Sequence, residues 1–596
     1  TIGGSVYGGG ALANTGNTTV NLTGGTVTGD VYGGGMGDAS HAPTVGTVNV
    51  SLNGTQTITI VEEQEVISYL DNCVVKGRIF GCNNLNGTPT GNVTVHIYKT
   101  QGWTSNGVSH DVSAGKLDDT IEKTNDTYEL EAVYGGGNLA AYEPTDAFSA
   151  SEATKAAAHT TVIIDGCGLT SIRTVYGGGN AASTPATNVT VNGTYEIEEV
   201  FGGGNGKDAI DENTPNPGAN VGFKDYSAVE STYNTKDLRQ GDEFVNRYVY
   251  GSGKAAVNIY GGTIHRVFGG SNTKGNVRQT AVTMLEDQNG CDFCVDEAYG
   301  GGKSAPMDAK AILYMACIPG MKVAYGGAEE ADIQDDVILN ITNGTFDQVF
   351  GGNNKSGKIN GSITVNIEET GCKPVIIGEL YGGGNEAAYS VYGYNDNGTL
   401  KTSGENPYDD PEVNVKSFTS IGNIYGGGLG ETAEMVGNPT VNINVAEGEH
   451  ATTVISDNAT TEAIRTGDDT AEGGYAVPSH ESGIGAIQNV YGGGNAARVV
   501  GNTNVNIGIT TGSDIYMEAV MVKTGDPLTG VYYTRSGAGT EESPYTYTAA
   551  SGTAVEGTTY YKRYTVKGAD IRGNVYGGGN QAEVTGNANV TIGKKM

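Results

Sequence analysis

The chain has 596 residues, with 34 basic against 67 acidic side chains and a formal net charge of −33. A surface so acidic repels phosphate backbones, so no nucleic acid is expected as a partner. Glycine supplies 96 residues, proline only 15 and apolar types 37%, which fits neither a collagen-like rod nor a string of ordinary globules.

Along the chain the first feature is a repeat. An aromatic followed by glycine recurs at Tyr7, Tyr32, Phe80, Tyr134, Tyr176, Phe201, Phe268, Tyr299, Tyr325, Phe350, Tyr381, Tyr425, Tyr491 and Tyr576; Tyr250, in VYGSGK, is a weaker match. The short spacing is 25 residues, as from Tyr7 to Tyr32. Between markers lies a second block, TGNTTVNLTGGTV at 15–27, TGNVTVHI at 90–97, VGNTNVNI at 500–507 and TGNANVTI at 585–592. Val and Ile alternate there with Thr and Asn, the period of a half-buried strand. Strands this short need stacked copies about 4.8 Å apart, so the expected fold is all-β: a parallel β-helix of about 14 coils, right-handed by the twist rule. The whole of 1–596 reads as one solenoid, with inserts near 55–76, 99–130, 140–160, 206–247, 389–416, 446–486 and 510–567. The 140–160 insert holds the best helical stretch, and 510–567 reads as a Tyr-rich hairpin module.

The marker Val490-Tyr491-Gly492-Gly493-Gly494-Asn495 and the block Gly501-Asn502 through Ile507 resemble right-handed parallel β-helix proteins of the bacterial surface adhesin and autotransporter-passenger type. The resemblance implies a fold that serves adhesins, polysaccharide lyases and phage tailspikes alike.

Each marker position has a physical reading. The residue before the aromatic is aliphatic, whereas the one two before is mostly polar, as at Asp30, Arg78, Glu199 and Arg266. Residues i and i+2 share a strand face, so the rings are expected as an outward ladder on which sugars could stack, with an interior stack as the alternative. The first glycine demands either positive φ or close backbone approach. The following Asn, as at Asn84, Asn138 and Asn180, suits a left-handed corner or an amide ladder. A phosphate-binding loop would need a helix after the glycines, and no helical period follows them.

Candidate chemistry is sparse. Cys291 and Cys317 each lie eight residues before a marker, so a cross-coil bridge between them is one expectation and a buried thiol stack the other. Cys73 and Cys82 flank one turn and form a second candidate pair. The lone Cys291–Cys294 CxxC and the seven histidines make no metal pattern. Acidic pairs at Asp118-Asp119, Asp335-Asp336, Asp409-Asp410 and Asp468-Asp469 read as solvated loops, with Ca²⁺ a weak option and no cofactor expected. No apolar run reaches about 18 residues, so no membrane-inserted helix is expected. The expected role is an extracellular or bacterial cell-surface stalk, adhesin or filament element, more a scaffold than an enzyme. Its partners would be glycans or host and cell-surface components. A β-helix lyase or glycoside hydrolase, and a phage or secretion-system fibre, are the alternatives. Both chain ends break off in mid-pattern, which predicts further coils or end-to-end self-association.

Overall fold

The computed structural model describes residues 1–61, 64–100, 104–105, 108–109, 128–143, 158–206, 218–222, 253–286, 291–370, 372–446, 453–481, 485–508, 515–520, 522, 525–528, 532–537, 546–555, 558–568 and 570–593. The chain is a parallel β-solenoid of fourteen coils, seen as two long parallel sheets whose strands follow one another in chain order. One sheet carries the markers, from Val6–Tyr7 through Glu196–Phe201 to Val575–Tyr576. The second carries the Val/Ile blocks, from Thr18–Leu22 through Thr187–Gly193 to Ala588–Ile592. A third, ragged side is made of short pairs such as Tyr389–Ser390 with Met435–Val436, and of single bridges running Thr184, Val221, Val277, Met307, Ile333 and Ile359.

The register explains why the repeat is strict. Marker sits on marker at every step: Tyr7 on Tyr32, Tyr176 on Phe201, Phe201 on Phe268, Tyr491 on Tyr576. In the second sheet Val20 pairs with Val50 and Val50 with Val95. The alternating burial of Thr18–Leu22 sends Val20 and Leu22 inward and Thr19 and Asn21 out. These inward residues meet Val31, Ile79 and Val133 from the marker sheet in one continuous aliphatic core. Each fully buried Val or Ile contributes about 1.5–3 kcal/mol, so two or three per sheet per coil suffice without a round core. A smaller cluster of Val277, Met307, Ile333 and Ile359 fills the third corner.

A polar clasp also holds some of the corners after the markers. Thr18, Thr160, Thr187 and Thr280, each at or next to the start of a second-sheet strand, donate their hydroxyls to the Gly33, Gly177, Gly202 and Gly300 carbonyls at 2.5–2.7 Å. The first marker glycine itself has no positive φ anywhere in the series. Its constraint is crowding: a Cβ on Gly177, Gly202 or Gly269 would stand 2.2–2.3 Å from the carbonyl oxygen of the corresponding glycine one coil on.

The inserts leave from corners. Within 55–76, strands Gln56–Val61 and Gln64–Tyr69 form an antiparallel hairpin whose Ile58 and Ile60 are exposed. The described helix, Thr461–Thr466, belongs to 446–486, is capped by Thr460 and Gly467, and lies on the outer side of the marker sheet. The helical stretch read in 140–160 falls at 144–157, outside the described residues, as do Tyr250 and most of 99–130 and 206–247. In 510–567, strands Ile515–Val520, Tyr532–Ser536, Thr546–Ala550 and Tyr560–Gly568 pair antiparallel, with Leu528, Ala554 and Tyr560 as a small core of their own.

Replacing Gly202 by Ala is expected to lower stability by about 1–3 kcal/mol through overpacking against backbone. Gly16→Ala, where a Cβ meets nothing within 4 Å, should leave the thermal unfolding midpoint nearly unchanged.

Candidate functional site

The fourteen marker rings form an unbroken column. Adjacent centroids lie 4.6–5.1 Å apart with interplanar angles of 6–11° from Tyr7 to Tyr576. The column belongs to a cluster separate from the aliphatic core, so the rings do point away from it, as the strand alternation implies. They share their side with the polar residue two before: the Arg78 guanidinium lies 5.0 Å from the Phe80 ring, and the hydroxyls of Tyr32, Tyr299 and Tyr381 donate to Asp30, Glu297 and Glu379.

Outward is nevertheless not exposed. From Tyr32 to Tyr425 the rings are 0–5% exposed; Tyr7 and Tyr491 are half-buried, and only Tyr576, in the last coil, is open. A sugar ring stacks on a free aromatic face, and here both faces are taken by the rings above and below. The expectation of an exposed stacking platform therefore fails for steric reasons along the body of the column. Burial also pushes the hydroxyls of Tyr134, Tyr176 and Tyr325 well above the ordinary tyrosine pKa.

On the other flank runs an amide ladder. Asn138 donates to Asn84, Asn180 to Asn138, Asn205 to Asn180 and Asn272 to Asn205, at 2.8–3.0 Å. It is interrupted where Lys303, Glu329 and Leu429 replace Asn, and resumes at Asn354–Asn385 and Asn495–Asn580. At the interruption Lys303 pairs with Glu199 and Lys355 with the buried Glu329. A second amide ladder, Asn340, Asn366, Asn414, Asn442 and Asn506, lines the outer side of the second sheet.

Beside the middle of the ring column is a row of charges of mixed sign, three residues before each of the seven markers from Tyr134 to Phe350. Arg173 contacts Glu131 at 3.2 Å, Lys322 contacts Asp296 at 3.1 Å, and Arg465 from the insert helix reaches Asp347 at 3.0 Å. His265 sits between two carboxylates, Nε2 2.9 Å from Glu196 and Nδ1 2.8 Å from Asp296, and these partners raise its pKa from 6.5 to about 9. Sequence spacing gave no hint of this group because its members come from three successive coils.

The cysteines pair differently from expectation. Cys167 bonds Cys291 and Cys317 bonds Cys372, so the Cys291–Cys317 bridge is not formed. Although the two residues are equally distant from their markers, the bridges join corner loops that reach past intervening coils. Cys73 and Cys82 are both buried and unbridged, with strand Arg78–Phe80 running between their corners. Burial pushes both thiols up.

Of the acidic pairs, Asp336 binds Lys310 and Asp410 accepts from Asn438, while Asp468 accepts from Thr470; Asp118-Asp119 lies outside the described residues. Among the described residues, no three His, Cys, Asp or Glu side chains are grouped to hold a metal, and no helix is long and apolar enough to cross a membrane. A groove of about 660 Å³ runs over four coils beneath the turn Tyr394–Leu400, with Asp332, Lys358, Glu386 and Glu434 on its walls. No protein family model, curated protein or solved structure matches the chain.

Two outcomes follow. Phe201→Ala, which opens a gap in the ring column, should cost about 3–5 kcal/mol in denaturant unfolding. For His265 the folded pKa lies above the unfolded one, so its stabilisation is full below about pH 6.5 and fades as pH rises through about 9. The wild-type unfolding midpoint should fall across that window more steeply than that of His265→Gln.

Proposed function

We propose that the chain is a rigid extracellular spacer of the bacterial surface-stalk type, which sets a fixed distance and presents its corner inserts as contacts. The observation that carries this reading is the in-register stack of fourteen rings on fourteen paired coils, a rod of about 65 Å at the coil spacing. Two bridges tying remote coils suit an oxidising compartment. The net charge of −33 favours solubility for a long β-protein whose strand edges would otherwise invite pairing. Glycan or host contacts fall to the inserts, because the ring faces are occupied. The hairpin with exposed Ile58 and Ile60 is one such contact element.

Antibody labelling of intact source cells tests the placement: labelling before permeabilisation is expected, and labelling that appears only afterwards would overturn it. A second reading, polysaccharide cleavage, attaches to the groove because Lys358, Glu386 and Glu434 supply acidic and basic groups beside Tyr394. It requires that turnover of acidic or neutral polysaccharides be measurable and be lost in Glu386→Gln.

A further inference from the structure

The two disulfides lie at one edge of the rod, the corner where the chain passes from the second sheet to the marker sheet. Cys167 follows strand Thr160–Asp165, and Cys291 precedes strand Phe293–Tyr299, three coils further on. Three coil steps amount to about 14 Å, yet the two Cα atoms are 5.4 Å apart. The loops therefore reach toward each other across the corners at Asn192–Tyr195 and Tyr260–Gly261. Those corners are cut down to let them meet: a Cβ on Gly193 would stand 2.2 Å from the Cys291 sulfur, and one on Gly261 2.8 Å from the Cys291 carbonyl oxygen.

The second bridge repeats the device over a shorter span. Cys317 follows strand Ala311–Ala316 and Cys372 precedes Val375–Tyr381, two coils on, again with Cα atoms 5.4 Å apart. The corner it crosses holds Asn343, which is fully buried. Asn343 accepts from the Cys317 backbone N–H at 3.1 Å and donates to the Lys373 carbonyl at 2.6 Å. Near the start of the rod, Asn53 makes the same kind of contacts, accepting from the Cys73 N–H and donating to the Cys73, Lys99 and Thr100 carbonyls. There no bridge is added, since Cys73 is unbridged.

Side by side, the two staples reach across seven consecutive coils, from the one that begins at Thr160 to the one that ends at Tyr381, with 292–316 left between the two loops. A solenoid held only by nearest-neighbour contacts peels from its ends one coil at a time. A bridge changes the path of a pull along the chain, because force entering at Cys167 passes through the sulfurs to Cys291 and by-passes everything between. The same holds from Cys317 to Cys372. We propose that the staples make 167–291 and 317–372 two load-shielded segments: tension can strip the flanking coils and the stretch 292–316 between the loops, whereas the chain inside each disulfide loop carries no load until the bridge is reduced. The flanking coils, which neither disulfide spans, would act as the extensible part. This inference concerns how the rod yields and does not depend on where the protein resides, so its failure and that of the spacer reading are separate.

Single-molecule pulling of the whole chain by its two ends tests it, with and without a thiol reductant. Reduction is expected to lengthen the fully extended chain by about 410–450 Å for the 124-residue loop and about 180–200 Å for the 55-residue loop. Cys167→Ser should release the first increment without reductant, Cys372→Ser the second, and Cys294→Ser neither. Equal extension of the oxidised and reduced wild-type chain would overturn the proposal. So would release of either increment from the oxidised chain while flanking coils remain folded. The wild-type comparison needs no variant, so a substitution that prevents folding does not spoil the test.

Discussion

Parallel pairing between successive coils is the constraint from which the rest of the structure follows. Once each strand must pair with its own copy one step along, every side chain stands about 4.8 Å from its counterpart above and below. A residue type is then tolerated only if it packs on a neighbour of similar position. Aromatic rings satisfy this by stacking, amides by hydrogen bonding and aliphatics by dense packing; the column, the Asn ladders and the core are three answers to one geometric demand. The first marker glycine answers it too, since at that corner the backbones of adjacent coils come too close for any Cβ.

Charge is the type that stacking punishes, and the chain handles it by alternating sign. Asp30 lies against Arg78, Glu199 against Arg266, and Asp296 between His265 and Lys322. Like charges directly opposite one another across paired strands are destabilising, so a strongly acidic protein must spend its few cations on the sheet faces and leave surplus acids in loops. The position of His265 is in keeping with this rule: Asp296 stands opposite it in the next coil, and Glu196 reaches it from two residues off register in the coil before.

The inserts and the staples depart from one-dimensional order. The strap carrying helix Thr461–Thr466 returns to Asp347, and Tyr475 covers Gly378, so contacts about a hundred residues apart are superimposed on the nearest-neighbour pattern. The disulfides do the same at the corner between the second sheet and the marker sheet. Contacts of this kind have no local signature, because loop direction is decided by which corner leaves room. Cys291 and Cys317 stand at equal distances from their markers and still bond other partners.

The sequence alone determined the architecture, because a repeating demand writes itself repeatedly: aliphatic before aromatic, glycine after, Val and Ile alternating with Thr and Asn. It also favoured rings turned away from the aliphatic core over an interior stack, since alternation along a strand is a local property. Only the tertiary structure decided that the rings are buried, that the glycines answer crowding rather than positive φ, that the cysteines pair over intervening coils, and that His265 gathers two carboxylates. Each of these depends on what lies one to three coils away, and the intervals between coils vary with inserts that carry no fixed period.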